Sequence, residues 1–393
     1  KFGENVYFSY AHTDPLEGNV FLDMLSMLPV MPVQASRYID PIQNPQGWSY
    51  GDPAYANTFG TNTYALQQLV QEDFRFYKIR GNVFAELRLF DWLTYKYNVG
   101  LETSFDYYTG FQKPGIVRQG TPYLKPTLNE NRALFLSILN EHTLNFDKQF
   151  GQHKINAVIG ISSQTFNADG LNAQKVGIPA YSGQYYFVPA QSGVPSFSGQ
   201  IQKWAYLGYL GRVNYSYADR YLISGTFRRD GSSLFGPDFR WGNFPSVSAA
   251  WRLSRESFFH FDKINDLKIR ASYGELGNSE ILHPWEYAGN ISALPRYVFG
   301  TNQDITYGAT NIQLANEDLH WEAKKTSNFG VDATLFNNKI SLTADYFIEK
   351  TSDVLTNLPI ALTTGNAGGN PPVNAASLKN TGFELTAAYH HNN

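Results

Sequence analysis

Residues 206–259 read YLGYLGRVNYSYADRYLISGTFRRDGSSLFGPDFRWGNFPSVSAAWRLSRESFF. Taking every second residue from Leu207 gives Tyr209, Gly211, Val213, Tyr215 and Tyr217; the other register gives Gly208, Arg212, Asn214 and Ser216, small or polar, with Tyr206 and Leu210 the exceptions. After Ala218-Asp219-Arg220 the alternation resumes, with Tyr221, Ile223, Gly225 and Phe227 against Leu222, Ser224, Thr226, Arg228 and Asp230. A period of two means extended strands with two unlike faces. The three-residue reversal makes them an antiparallel hairpin. Their length, roughly twelve to sixteen residues, far exceeds the usual five or six. Strands that long, aromatic on one face and polar on the other, suit a barrel wall with lipid outside and water inside.

The bulk composition agrees. Charged residues are 17 % of the chain, below the usual quarter, while aromatics reach 16 %. That balance fits an outer surface facing lipid with interfacial anchors, although an aromatic-rich soluble sandwich would share it. A formal net charge of −3 gives no reason to invoke nucleic acid. The absence of cysteine excludes disulfide frameworks and thiolate metal sites. No apolar run reaches the roughly 18 residues of a membrane helix; residues 20–33 come nearest and are broken by Asp23, Ser26, Pro29 and Pro32. No signal peptide is visible, so the chain reads as an internal piece of something longer.

The same rhythm extends along the chain. Residues 2–11 read as a strand, 17–28 as a short amphipathic helix that packs on its neighbours, and 63–72 as a second short helix. From residue 74, alternating segments at 74–90, 93–108, 132–146, 154–166, 240–253, 267–276, 321–336, 339–350 and 379–390 join the hairpin and the first strand, giving about twelve strands. Asn337-Asn338 marks another tight hairpin turn. The connections alternate between tight and long. Outer-membrane barrels have short periplasmic turns and long extracellular loops, whereas a Greek-key sandwich has no reason for this pattern. Residues 12–73, 109–130, 167–201, 277–320 and 352–378 are therefore expected outside the cell, with the shorter 232–239.

The hairpin also carries a family likeness. Gly211-Arg212-Val213-Asn214-Tyr215, then Phe227-Arg228-Arg229-Asp230-Gly231-Ser232-Ser233, then residues 240–252 (RWGNFPSVSAAWR), together resemble the barrel signature of SusC/RagA-type TonB-dependent outer-membrane transporters. Leu319-His320-Trp321-Glu322 and Ala344-Asp345-Tyr346-Phe347 resemble that family's later strands. The resemblance implies an all-β fold, part of a large antiparallel transmembrane β-barrel of about 22 strands. Residues 1–393 are then a partial barrel without the plug and TonB-contacting segment that the family places before it. It further implies the outer membrane of a Gram-negative, Bacteroidetes-type cell. The expected activity is TonB-dependent import of oligosaccharides, glycan fragments or peptides, with a SusD-like surface lipoprotein as partner. A passive pore, or a structural barrel of a cell-surface or secretion assembly, remains an alternative.

The search for chemistry yields no enzyme. No G-x-S-x-G elbow, H-E-x-x-H, P-loop or G-x-G-x-x-G occurs. Ser232-Ser233 follows Asp230-Gly231 as a strand-end turn, and His390-His391 reads as a solvated turn. Asn167-x-Asp169-Gly170 echoes the start of a calcium loop but lacks its closing bidentate Glu. The carboxylate pairs Glu72-Asp73 and Glu317-Asp318 sit at loop–strand junctions. No cofactor or metal is expected. What remains is binding: Arg228, Asp230, Arg240 and Asn243 fall near the extracellular rim, either bracing it as ion pairs or lining a substrate cavity. Trp241, Trp285, Tyr287 and Tyr297 could stack on sugar rings or peptide side chains, or serve as interfacial anchors.

Overall fold

In the computed structural model, residues 1–390 are described apart from 53, 55–57, 59, 121, 124, 178–194, 293–295, 362 and 364–368. The chain begins with β1 (Phe2–Thr13), α1 (Val20–Ser26), α2 (Thr63–Leu69), β2 (Val70–Phe90) and β3 (Leu93–Gln112). After the short pair β4 (Gly115–Ile116) and β5 (Pro122–Tyr123) come β6 (Thr127–Phe150) and β7 (His153–Val176). Next are β8 (Ser196–Tyr217), β9 (Tyr221–Ser232), β10 (Trp241–Arg252) and β11 (Ile264–Asn278). A long connection holds β12 (Asn290–Ser292), β13 (Arg296–Phe299), β14 (Asp304–Tyr307) and β15 (Thr310–Gln313). The last strands are β16 (Glu322–Leu335), β17 (Ile340–Asn357) and β18 (Pro372–Tyr389).

Leaving out the short strands of the loops, the long ones form a 12-stranded antiparallel sheet whose spatial order is the chain order, the meander expected from the sequence. The register of the opening hairpin runs from Tyr217↔Tyr221 to Tyr206↔Ser232. Its turn closes with Arg220 N–H donating to the Tyr217 carbonyl at 2.9 Å. Ala218 and Asp219 both have positive φ (52° and 56°), a primed turn whose twist suits the strands it joins. Phe336, Asn337 and Asn338 do the same between β16 and β17, with φ of 55°, 55° and 65°.

Which face looks out follows from crowding. Along β10, exposure alternates strictly: residues 241, 243, 245, 247, 249 and 251 are exposed and those between are partly or fully buried. A curved sheet splays side chains on its convex side and crowds them on its concave side. The exposed set is the apolar one, with Val213 and Ile223 each 51 % exposed and Val247 52 %. The apolar face is therefore convex, as a lipid-facing wall requires. At the end carrying the tight turns, rings collect on this face. Phe90 stacks on Trp92 at 5.1 Å, Tyr97 on His142 at 4.6 Å and Tyr221 on Trp251 at 6.3 Å. This is the aromatic girdle of a membrane interface.

The strands run beyond their expected ends: β6 begins at Thr127 and β7 continues to Val176. Above the lipid the alternation lapses, but the backbone ladder does not depend on it. Both helices form, shorter than expected. The expectation that the first packs on its neighbours is not met: α1 buries none of its residues, and Phe21 and Leu25 are more than four-fifths exposed. Its apolar residues have too little protein opposite them.

The buried clusters lie in the long loops rather than in the wall. One gathers Trp48, Ala65, Leu66, Leu69 and Val117, tying the β1–β2 loop to that after β3. The other gathers Leu234, Phe235, Leu282, Leu319 and Leu355 from three further loops or strand ends.

Candidate functional site

The polar set that alternates with the apolar one forms continuous ladders on the concave face. Asn5 Nδ2 donates to Asn82 (3.3 Å), Asn82 Nδ2 to Asn98 (2.8 Å), and Asn98 Nδ2 to Glu141 (2.9 Å), crossing four adjacent strands. One step higher, Glu102 takes Lys78 at 2.6 Å and Arg80 at 3.8 Å. On the opposite flank Arg270 binds Asp345 at 2.6 Å and Asp332 at 3.2 Å, while Lys268 reaches Asp332 at 2.9 Å. Between the flanks lies a hollow of about 510 Å³, whose lining includes Asn156, Asn214, Ser224, Ser248, Ser272 and Asn328. Oδ1 of Asn328 and Oδ1 of Asp345 are buried without a protein partner. Hydroxyls, amides and paired charges make this face wettable.

Glycines let the ladders lie flat. A Cβ on Gly330 would come within 2.5 Å of the Arg270 guanidinium and 2.7 Å of Asp345. Phe244 lies over Gly242 and Gly277 in the same way, buried against Trp321 at 5.5 Å.

The residues singled out in the sequence separate into three places. Arg228 and Asp230 meet on the concave face through two hydrogen bonds of 2.8 and 3.1 Å, bracing one strand. Arg240 does not join them: its Nε donates to the Phe235 carbonyl at 3.4 Å, and its own carbonyl accepts from Trp321 at 2.9 Å. Trp241 and Asn243 share the exposed convex face of β10. Trp285 is exposed at the loop surface, 6.3 Å from Tyr287, which packs against the second loop cluster, and Tyr297 stands out on the exposed β13–β14 hairpin. The set is thus not one pocket.

Of the weaker candidates, Ser232 is buried and its Oγ accepts from Leu234 N–H, a turn role. Asn167 donates to Asp169 at 2.9 Å on the convex register. His391 lies outside the described residues. His12, Asp14 and Asp73 come together at the long-loop end of the wall, but Arg75 already holds Asp73 at 2.9 Å.

What the sequence reading missed are the loop hubs. Asn44 donates to the carbonyls of Tyr38 and Trp48 and accepts from Trp48 N–H. Asn62 caps α2 through Ala65 N–H while donating to Val33 and Ser49. Glu17 is tied to Gln67 in both directions, and burial together with the neighbouring Glu72 pushes its carboxyl up. A lone Asn in a Pro/Gly-rich stretch offers little sequence signal for such a role.

A meander of long strands, apolar on its convex face and ion-paired on its concave one, defines a transmembrane β-barrel wall of the outer-membrane type. A family model described as "TonB dependent receptor-like, beta-barrel" matches residues 30–392, and the chain belongs to that family of outer-membrane receptors, in its SusC/RagA group. It is a receptor family, not an enzyme family. The chain is 30 % identical over 335 residues to TonB-dependent receptor P3 of Formosa agariphila, covering 83 % of this chain and 32 % of that protein. It is 30 % identical over 246 residues to TonB-dependent receptor SusC of Bacteroides thetaiotaomicron, covering 61 % and 23 %. The RagAB peptide importer in its closed-closed state has a similar fold, with a TM-score of 0.77 at 20 % identity over 100 % of this chain and 42 % of that one. The chain therefore spans about a quarter to a third of the curated relatives it matches.

Proposed function

We propose that this chain is the wall of a TonB-dependent importer in the outer membrane of a Bacteroidetes-type cell. It takes up oligosaccharides, glycan fragments or peptides together with a SusD-like surface lipoprotein. The supporting observation is the mainly polar, ion-paired concave face of an otherwise lipid-facing wall, interrupted by single apolar residues such as Leu210 and Phe244. A solute passing along it exchanges water mainly for hydroxyls, amides and paired charges. The loop clusters at the extracellular end give the wall a folded mouth on which a lipoprotein can seat. The relatives' names support the energised reading, SusC for its family and the RagAB importer for peptide as one solute class.

Uptake of labelled oligosaccharides and peptides by cells producing the intact protein should collapse when the inner-membrane proton gradient is discharged. A SusD-like lipoprotein should co-purify with it. Uptake that persists without the gradient, with no lipoprotein bound, marks a passive pore instead.

A further inference from the structure

On the convex face, Arg229 sits between Tyr209 and Asn243 in the register of β8, β9 and β10. Its guanidinium lies 5.2 Å from the centre of the Trp241 ring, and that ring stacks on Tyr209 at 5.9 Å and 27°. Gly231 faces Trp241 across the strands, and a Cβ there would come within 3.0 Å of the indole. The bare glycine is what lets the indole lie down on the wall and present its face to the arginine.

The surroundings bear on what this cation can bind. Below it on the same face are Phe227 and Val247, about half exposed and apolar. Arg229 lies nine residues beyond Arg220, which at about 3.3 Å per residue and about 45° tilt puts it roughly 20 Å above the turn. That is near the top of an apolar band about 25 Å tall, on the side of the long loops. Some outward cations toward that end have carboxylates: Arg75 with Asp73 at 2.9 Å, Arg132 with Glu130 at 3.4 Å, and Lys325 with Glu275 at 3.5 Å. Lys350 and Lys379, opposite each other on β17 and β18, are lysines without the arginine's planar fork or, among the described residues, a stacked ring beneath it. Arg229 pairs with no carboxylate among the described residues. A guanidinium at the edge of hydrocarbon requires an anion or water, and its planar fork fits phosphate oxygens.

We infer that Arg229, Trp241, Tyr209 and Asn243 form a binding site for a phosphate group of the outer-leaflet glycolipid. Arg229 supplies the charge, Asn243 a neutral donor beside it, and the stacked rings an apolar seat for the adjoining sugar and acyl root. The occupant follows from charge complementarity and from sidedness, and the site rests on the outer-membrane placement alone, not on what the protein imports.

The test uses the intact protein in nanodiscs of phosphatidylethanolamine containing either diphosphoryl lipid A or phosphatidylglycerol, with retained lipid counted by native mass spectrometry. Lipid A should be retained over phosphatidylglycerol. Arg229→Gln should lower that retention about tenfold, the loss of one charge-assisted hydrogen bond, while Arg229→Lys keeps part of it. Gly231→Ala, which lifts the indole, should weaken retention without removing the charge. Lys148→Gln, which removes a cation lying 5.5 Å from Trp92 at the opposite end of the wall, should leave lipid A retention unchanged. Equal retention by wild type and Arg229→Gln overturns the site. So does a protein dimer, seen before lipid is added, that Arg229→Gln dissociates, since a second copy would then be the occupant.

Discussion

Gly330 is bare because Arg270 and Asp345 lie across it, and this is how single residues shape the wall. The ion pair runs parallel to the sheet only where the intervening strand offers no Cβ. Gly330→Ala should push the guanidinium off Asp345 and Asp332 and cost about 1–3 kcal/mol, the usual range for overpacking at a fixed backbone. Solvent screening lowers the figure only in part, since the Arg270 and Asp345 side chains are 31 % and 14 % exposed. Thermal unfolding in detergent should show the loss, and Asp345→Asn in the Gly330→Ala background should add little to it. Additive effects of the two substitutions would mean that the glycine serves something other than this pair.

At the scale of elements, the turn after β10 is held by one carboxylate. Glu256 accepts from the Tyr221 hydroxyl at 2.7 Å and the Trp251 indole at 2.9 Å, with Arg220 at 3.4 Å. Those two hydrogen bonds, and then the charge of Arg220, hold its pKa below the ordinary 4.5. A depressed carboxylate contributes stability above its unfolded pKa and loses it as pH falls through the folded value. Hydrogen exchange across residues 253–263 should therefore stay slow at neutral pH and accelerate as pH drops below 4.5, after correction for intrinsic rates. Glu256→Gln should be fast already at neutral pH and show no such step; a step that survives in this variant assigns the transition elsewhere. Glu17 in the β1–β2 loop has the opposite sign: its raised pKa favours the folded loop at low pH, and that contribution fades as pH rises.

The molecule as a whole is a partition between two solvents. Val213 and Asn214 are neighbours in sequence on opposite faces of β8, near the middle of the lipid band. Arginine at Val213 should destabilise the wall by about 2–4 kcal/mol, the cost of a cation at the bilayer midplane. Arginine at Asn214 should cost far less, because the concave face already carries Arg212 and Arg270. Urea unfolding in lipid vesicles measures both. Similar penalties at the two positions would sink the assignment of faces, and with it every functional reading built on them. The chain has no cysteine, so single cysteines at these positions can be labelled cleanly as a second check.

The period of two was enough to give long antiparallel strands, their order, their turns and the side each alternating residue faces, because one face meets hydrocarbon and the other water. Counting in twos back from Trp251 even places Trp241 and Asn243 on the outer face, a signal that nearness to Arg240 obscures. Where both sides of a strand meet water, alternation carries no information, and only the backbone ladder shows that β6 and β7 continue. The loop clusters around Phe235 and Trp48, and the hubs at Asn44 and Asn62, were likewise decided by tertiary contacts alone. They join residues far apart in the chain through carbonyls and rings, and nothing local in a Pro-, Gly- and Asn-rich stretch fixes which of them meet.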